Sequence, residues 1–410
     1  MVPPLTTNDG AIYDLHGLSI FASTYPEAPI DFFENLGYRT NGVNSIAYRG
    51  SPIMLDNLLG IRYVINKDEN WYPSTPWRQE INQQSRITVY ENQDALSLGL
   101  FTPRDPRELI TEGLDPFTAQ NLLVQALDGE AGLMELVPEL EQYVSVDPLT
   151  GHAAETYHDP SGRYSISQTE ETFRAIVPTT GYYTIAWASS DAAVNRLTIV
   201  SRGDEQQVAN HRDGMQELGY YEAGEELVFR FQQSEERHAT LRVYLARMND
   251  TAYSTTMERF RGRQMQMTEY DGNGFRGTIT TTESGYVFFT LPYDPGWSFH
   301  VDGTQVSVLS VDDALMALEL DEGEHTIEAV FVPRGFTQGA AISIASLLVL
   351  IILIVLNRRQ RKYRRSILRH KRVRSSNAVD EAALRERFFP TTASVQLTDG
   401  VRSAPPIELD

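Results

Sequence analysis

Cysteine is absent from the 410 residues. That excludes disulfides, thiolate zinc sites, iron–sulfur clusters and a cysteine nucleophile. Basic residues are scarce up to Asn357, where 22 Lys or Arg stand against 49 Asp or Glu, a balance near −27. A surface that acidic repels nucleic acid and other polyanions, so it argues against a DNA or RNA partner. Solubility alone, or adaptation to salt, accounts for it. The motifs of common enzymes are missing too: there is no G-x-S-x-G, no P-loop, no D-x-D and no H-E-x-x-H. The sequence implies no cofactor and no metal. The opening residues MVPPLTTNDG offer neither a basic stretch nor an apolar one, so they do not read as a signal peptide.

Against these absences stands one long apolar run, Gly339–Asn357, with no charge over 19 residues. As a helix it would be ~28 Å long, close to the ~30 Å hydrocarbon core of a bilayer. Ten Lys or Arg follow between Arg358 and Arg374, and the whole segment after Asn357 is near +7. Lys and Arg are retained on the cytoplasmic side, so the expected orientation is tail inside and the preceding 338 residues outside. A long outer region without a disulfide fits a bacterial envelope. Its export needs more than a C-terminal anchor, so either Met1 is not the natural start or, the preferred expectation, the chain is the last segment of a longer multi-spanning protein. Gly339, Ser343 and Ser346 share one helix face, a small-residue pattern that admits a neighbouring helix.

The fold class expected is an α+β outer region, then β-sandwich modules, one transmembrane α-helix and a disordered tail. The expected divisions are a small α+β domain over 1–108, a helical connector over 109–143 and a β-sandwich over 144–255. A membrane-proximal sandwich over 256–335, the membrane helix over 336–357 and a basic cytoplasmic tail over 358–410 complete the chain. In the first domain, Pro29–Gly37 reads as a helix with proline in its first turn and glycine at its stop. Ile61–Ile65 and Arg86–Glu91 read as paired strands. Asn121–Leu127 is periodic at helical spacing. Later strands recur at sandwich spacing: 182–187, 196–200, 226–231 and 239–245, then 276–282, 286–291, 297–301, 305–309, 315–320 and 326–332. Gly181-Tyr182 opens one set and Gly285-Tyr286 the other, while Gly224-Glu225 and Gly323-Glu324 each precede a closing strand. Duplication and ordinary sandwich turn chemistry both account for this. In the tail, 375–410 is polar and proline-bearing, with a short helix expected at Asp380–Phe389.

Candidate sites are few. Gly272–Gly277 is a literal G-x-G-x-x-G, but the strand-forming TITTT follows where a dinucleotide site needs a helix. Its Asp-Gly and Asn-Gly pairs predict turns. Asp9, Asp14 and His16 fit a polar loop as well as a metal or acid–base cluster. Trp71, Tyr72 and Trp77 sit among prolines, and exposed aromatics stack on sugars. They are the candidate glycan contacts, with loop packing as the alternative. Asn249-Asp250-Thr251 fits a glycosylation acceptor, idle in a bacterial source. Trp297, Phe299 and Val301 alternate onto one face, and Asp302-Gly303 turns the chain back. Core packing and a sugar platform are both open to Trp297.

The stretch Pro292-Tyr293-Asp294-Pro295-Gly296-Trp297, then Val301-Asp302-Gly303 and Gly323-Glu324-His325-Thr326-Ile327 ahead of the membrane helix, resembles the C-terminal end of YfhO-type bacterial membrane proteins. Gly17–Thr24, Asn57–Ile65, Tyr90–Leu96 and Asp115-Pro116-Phe117 with Asn121 are also similar, so the resemblance spans about 15–357. It implies a membrane glycosyltransferase that moves sugar from a polyprenyl-phosphate carrier to an envelope polymer such as teichoic acid. Its expected catalytic acids lie in an outer loop of an N-terminal membrane domain, so no catalytic residue is carried over. Implied partners are the membrane, a multi-spanning domain or upstream chain, and an envelope glycopolymer. A glycan-binding or adhesion module on an anchor is the alternative, and a sensor whose output is the tail is a third reading.

Overall fold

The structure is a computed structural model. It describes residues 7–13, 15–48, 51–67, 75–85, 87–128, 130, 132–138, 140–146, 153–191, 194–209, 213–236 and 238–388. The fold is mostly β-sheet, with helices interspersed and one long C-terminal helix. Two compact units divide at Val332.

Two runs of six strands organise the first unit, and they pair identically. The first run is Glu170–Ile176, Gly181–Ser189, Val194–Ser201, Asp204–Ala209, Asp213–Tyr221 and Glu226–Gln233. The second is Gly274–Thr281, Gly285–Pro292, Trp297–Val301, Thr304–Val306, Leu315–Leu320 and Gly323–Phe331, with Leu309–Val311 added before its fifth strand. In each, the first strand lies beside the sixth, the sixth beside the third and the third beside the fourth, while the second pairs with the fifth. A further strand precedes the first and pairs with it, Glu141–Val146 in one run and Gln266–Tyr270 in the other. Shared order over six strands favours duplication over coincident turn chemistry.

Each run closes around its own core. One holds Phe173, Tyr183, Ile185, Phe229 and Phe231; the other holds Phe275, Val287, Phe289, Phe299 and Ile327. Gly181–Ser189 is nearly continuously apolar because both its faces are covered. Tyr183 and Ile185 face the sandwich interior, whereas Tyr182 and Ala186 face a third core. In the second run Phe288 does the same, between Val287 and Phe289. That third core gathers the N-terminal helices, the helix Pro116–Asp128 and the helix Asp250–Arg263. The strand Gly99–Thr102 ties this layer to the second run by pairing with Gly285–Pro292.

Local chemistry explains most element ends. Glu27–Asn35 follows Pro26, and Gly37 takes φ +93° just past its end. The Asp302-Gly303 turn has φ 52° and 79°, the doubly left-handed form that matches strand twist. Asp271–Gly274 is a hairpin turn, and the strand Gly274–Thr281 follows it. The glycine pattern at 272–277 thus serves β structure.

Two segments differ from expectation. Gln305–Leu309 is divided between Thr304–Val306 and Leu309–Val311, which belong to different sheets. The expected short helix at the C-terminus is part of one helix, Phe336–Phe388. No glycine or proline interrupts 340–389, and Lys and Arg are good helix formers, so nothing stops it. Within it, Phe336–Arg372 is long and apolar enough to cross a membrane, with mean hydropathy 3.0 over its most apolar window and none of that window buried. Ile342 through Leu356 expose large apolar side chains on all sides, a surface that suits lipid.

Candidate functional site

The N-terminal layer meets the first sandwich at a buried charge cluster. Arg78, at the start of the strand Arg78–Gln84, is 4% exposed. Its Nη2 donates to Asp56 Oδ2 at 2.5 Å and to the Ser51 carbonyl at 3.0 Å, while Nη1 donates to Glu217. Asp56 sits on the short helix Ile53–Leu58, where Tyr48 Oη donates to its Oδ2 at 2.9 Å and Ser51 Oγ donates to its Oδ1. Tyr38 Oη donates in turn to Ser51 at 3.0 Å. Among the described residues two carboxylates share one guanidinium here, so these three side chains carry net negative charge when both acids are ionised. Burial pushes the Asp56 carboxyl up, opposed by Arg78 and its hydroxyl donors. Burial, reinforced by the Asp56 charge, pushes Glu217 up to about 7. The cluster fixes strand Asp213–Tyr221 against Ile53–Leu58 and is sealed from solvent.

A polar chain leads outward from the next residue. Asn92 Nδ2 donates to Asn57 Oδ1 at 2.8 Å, and Asn57 Nδ2 donates to Tyr253 Oη at 3.0 Å. Tyr253 Oη donates to Asp94 Oδ2 at 3.1 Å, and Arg261 Nη2 donates to Asp94 Oδ1 at 2.6 Å. Burial raises the Tyr253 phenol well above its ordinary range, so it remains a donor. The chain ends at an open cleft of about 480 Å³, lined by Gly60, Arg62, Ala95–Ser97, Arg261, Gly262 and Gln264–Met267.

The sequence-derived candidates fall elsewhere. Trp71 and Tyr72 lie outside the described residues. Trp77 is half-buried and packs edge-on between Tyr182 and Tyr253, at 5.0 and 5.2 Å. Asp14 lies outside the described residues, Asp9 opens a four-residue helix, and His16 meets the Tyr270 ring at 4.7 Å. Among the described residues no group of His, Asp or Glu is arranged to hold a metal. Asn249 caps the helix Asp250–Arg263 by accepting from the Ala252 N–H at 3.0 Å, and its amide donates to Glu135 at 2.8 Å. Trp297 is half-buried against Phe275, Phe299 and Phe331. Gly339, Ser343 and Ser346 are exposed along the long helix.

The two motifs that carried the resemblance meet in space. Asp302 accepts from the Thr326 N–H at 2.8 Å and faces His325 Nδ1 at 2.8 Å, joining V-D-G to G-E-H-T-I. These contacts hold the Asp302 carboxyl below the usual range. The model of the family described as "Bacterial membrane protein YfhO" matches residues 2–343. The chain belongs to the YfhO family. An uncharacterised YfhO of Bacillus subtilis (strain 168) is 29% identical over 69 residues, which are 17% of this chain and 8% of that one. Among solved structures, the mycobacterial arabinofuranosyltransferase AftD is similar over 42% of this chain and 14% of its own, at 11% identity and TM-score 0.20. A Bacteroides uniformis β-glucuronidase is similar over 49% of this chain and 28% of its own, at 12% identity and TM-score 0.21. The chain thus spans a small part of the length of each of these three proteins. Membership of this family, with the apolar helix, makes it a membrane protein.

Sequence reading missed Asp56, Asn57, Arg78 and Glu217 as a group. They come from three distant segments, and each alone is an ordinary polar residue. Asn57 and Arg62 did lie within one of the family-like stretches.

Proposed function

We propose that residues 1–332 form the extracytoplasmic part of a YfhO-family envelope protein of the plasma membrane. They support transfer of sugar from a polyprenyl-phosphate carrier to a cell-envelope polymer such as teichoic acid. In this reading the β-rich unit recognises or presents the acceptor beside a multi-spanning membrane domain, and the C-terminal segment is cytoplasmic. The carrying observation is the family match over 2–343, which runs through the whole β-rich unit into the apolar helix. Ten cationic residues directly after the apolar run support the orientation. The buried charge cluster holds the layers together and takes no part in the chemistry.

Deletion of the gene tests this. The sugar content of purified envelope polymers, read by mass spectrometry, should fall and return on complementation. Unchanged content, with polymer binding by the purified protein intact, would favour the adhesion reading instead.

A further inference from the structure

The open cleft beside Arg62 and Arg261 has a chemistry of its own. Both arginines are partly exposed, and each is braced on one side by a single carboxylate. Arg62 Nε and Nη2 donate to Glu91 Oε1 at 3.2 and 3.1 Å. Arg261 donates to Asp94 through Nη2 at 2.6 Å. A guanidinium carries five N–H groups, so each keeps donors directed elsewhere. Each therefore presents spare cationic donors next to a carboxylate acceptor, with the two charges balanced.

That pairing fits a sugar hydroxyl, which both donates and accepts. It fits an anion poorly, because each arginine is already paired with a carboxylate. The bracing is built from the core outward. Asp94 is held through Tyr253 and Asn57, and Asn57 and Asn92 are 0 and 1% exposed. Buried amides with all these bonds made hold Asp94, and through it Arg261, in one place before a ligand arrives. Tyr63, about half exposed, lies under the Arg62 guanidinium at 5.7 Å and helps to hold it in place. The volume of about 480 Å³ is in the range of small-molecule sites.

We propose that this cleft binds a neutral saccharide unit, with Arg261 and Arg62 donating to its hydroxyls. This deepens the role proposed above and rests on it for the cleft's purpose. Binding is read on purified protein, whereas that role is read from polymer sugar in cells, so one can fail without the other.

The test uses the full chain in lipid nanodiscs free of glycosidic detergent. Saturation-transfer NMR is recorded with maltose, cellobiose and chitobiose, and with inorganic phosphate as competitor. At least one disaccharide should bind, Arg261→Gln and Arg62→Gln should each weaken it at least fivefold, and Arg202→Gln should leave it unchanged. Because Arg62 and Arg261 are exposed, the double variant Arg62→Gln/Arg261→Gln should melt like wild type yet lose the signal. No binding by any of the three sugars overturns the proposal. So does full affinity in the folded double variant, or displacement by phosphate, which would mark an oxyanion site.

Discussion

Glu217→Gln isolates the electrostatic cost of the Arg78 cluster. Burial raises the Glu217 carboxyl from 4.5 to about 7, so the folded state binds this proton more tightly than the unfolded chain does. Its contribution to stability is complete below about pH 4.5 and is lost as pH rises through about 7. The loss amounts to about 3 kcal/mol once Glu217 is ionised in the folded state. Solvent screening does not reduce it, because Glu217 is 3% exposed and Arg78 is 4% exposed. A glutamine keeps the shape of the protonated acid and cannot ionise. Denaturant unfolding of wild type and Glu217→Gln, followed from pH 5 to pH 9, should therefore diverge. The variant should be near wild type at pH 5 and more stable above pH 8, by up to about 3 kcal/mol. Arg78→Met is the companion: it leaves Asp56 and Glu217 without their cation and should cost about 3–5 kcal/mol. Parallel pH profiles for wild type and Glu217→Gln would refute the reasoning.

Phe299→Ala should destabilise the second sandwich by about 3–5 kcal/mol, and Trp297→Ala by less, since Phe299 is fully buried and Trp297 only half; thermal melting reads both. Asp302→Asn should flatten the acid limb of unfolding. The lowered carboxyl contributes stability above its unfolded range and loses it as pH falls through the folded value, whereas asparagine cannot titrate. We also propose the small-residue face of the long helix as a packing surface. Gly339→Leu with Ser343→Leu should then reduce helix–helix crosslinking, and unchanged crosslinking would show that the face is wrong.

Legibility followed periodicity. Strands such as Gly181–Ser189 and Glu226–Gln233 were readable because β-branched and aromatic residues concentrate between turn glycines. The helix Asp250–Arg263 was missed although Tyr253, Thr256, Met257 and Phe260 are buried at helical spacing. Its Thr- and Ser-rich start has weak helix propensity, and the cap residue Asn249 looked like part of a glycosylation signal. Asp204–Ala209 was missed because it is polar, exposed where described and lies at a sheet edge. The sites were far less legible. Arg78 meets Glu217 across 139 residues, and Arg261 meets Asp94 across 167. No local pattern encodes either pair; only the shared core between the layers brings them together.

Transfer of labelled sugar in isolated membranes tests the central claim most directly. Membranes are supplied with a polyprenyl-phosphate sugar, and label is followed into the envelope polymer. Incorporation should disappear from deletion membranes and return with the wild-type gene. Equal incorporation with and without the gene would contradict the claim.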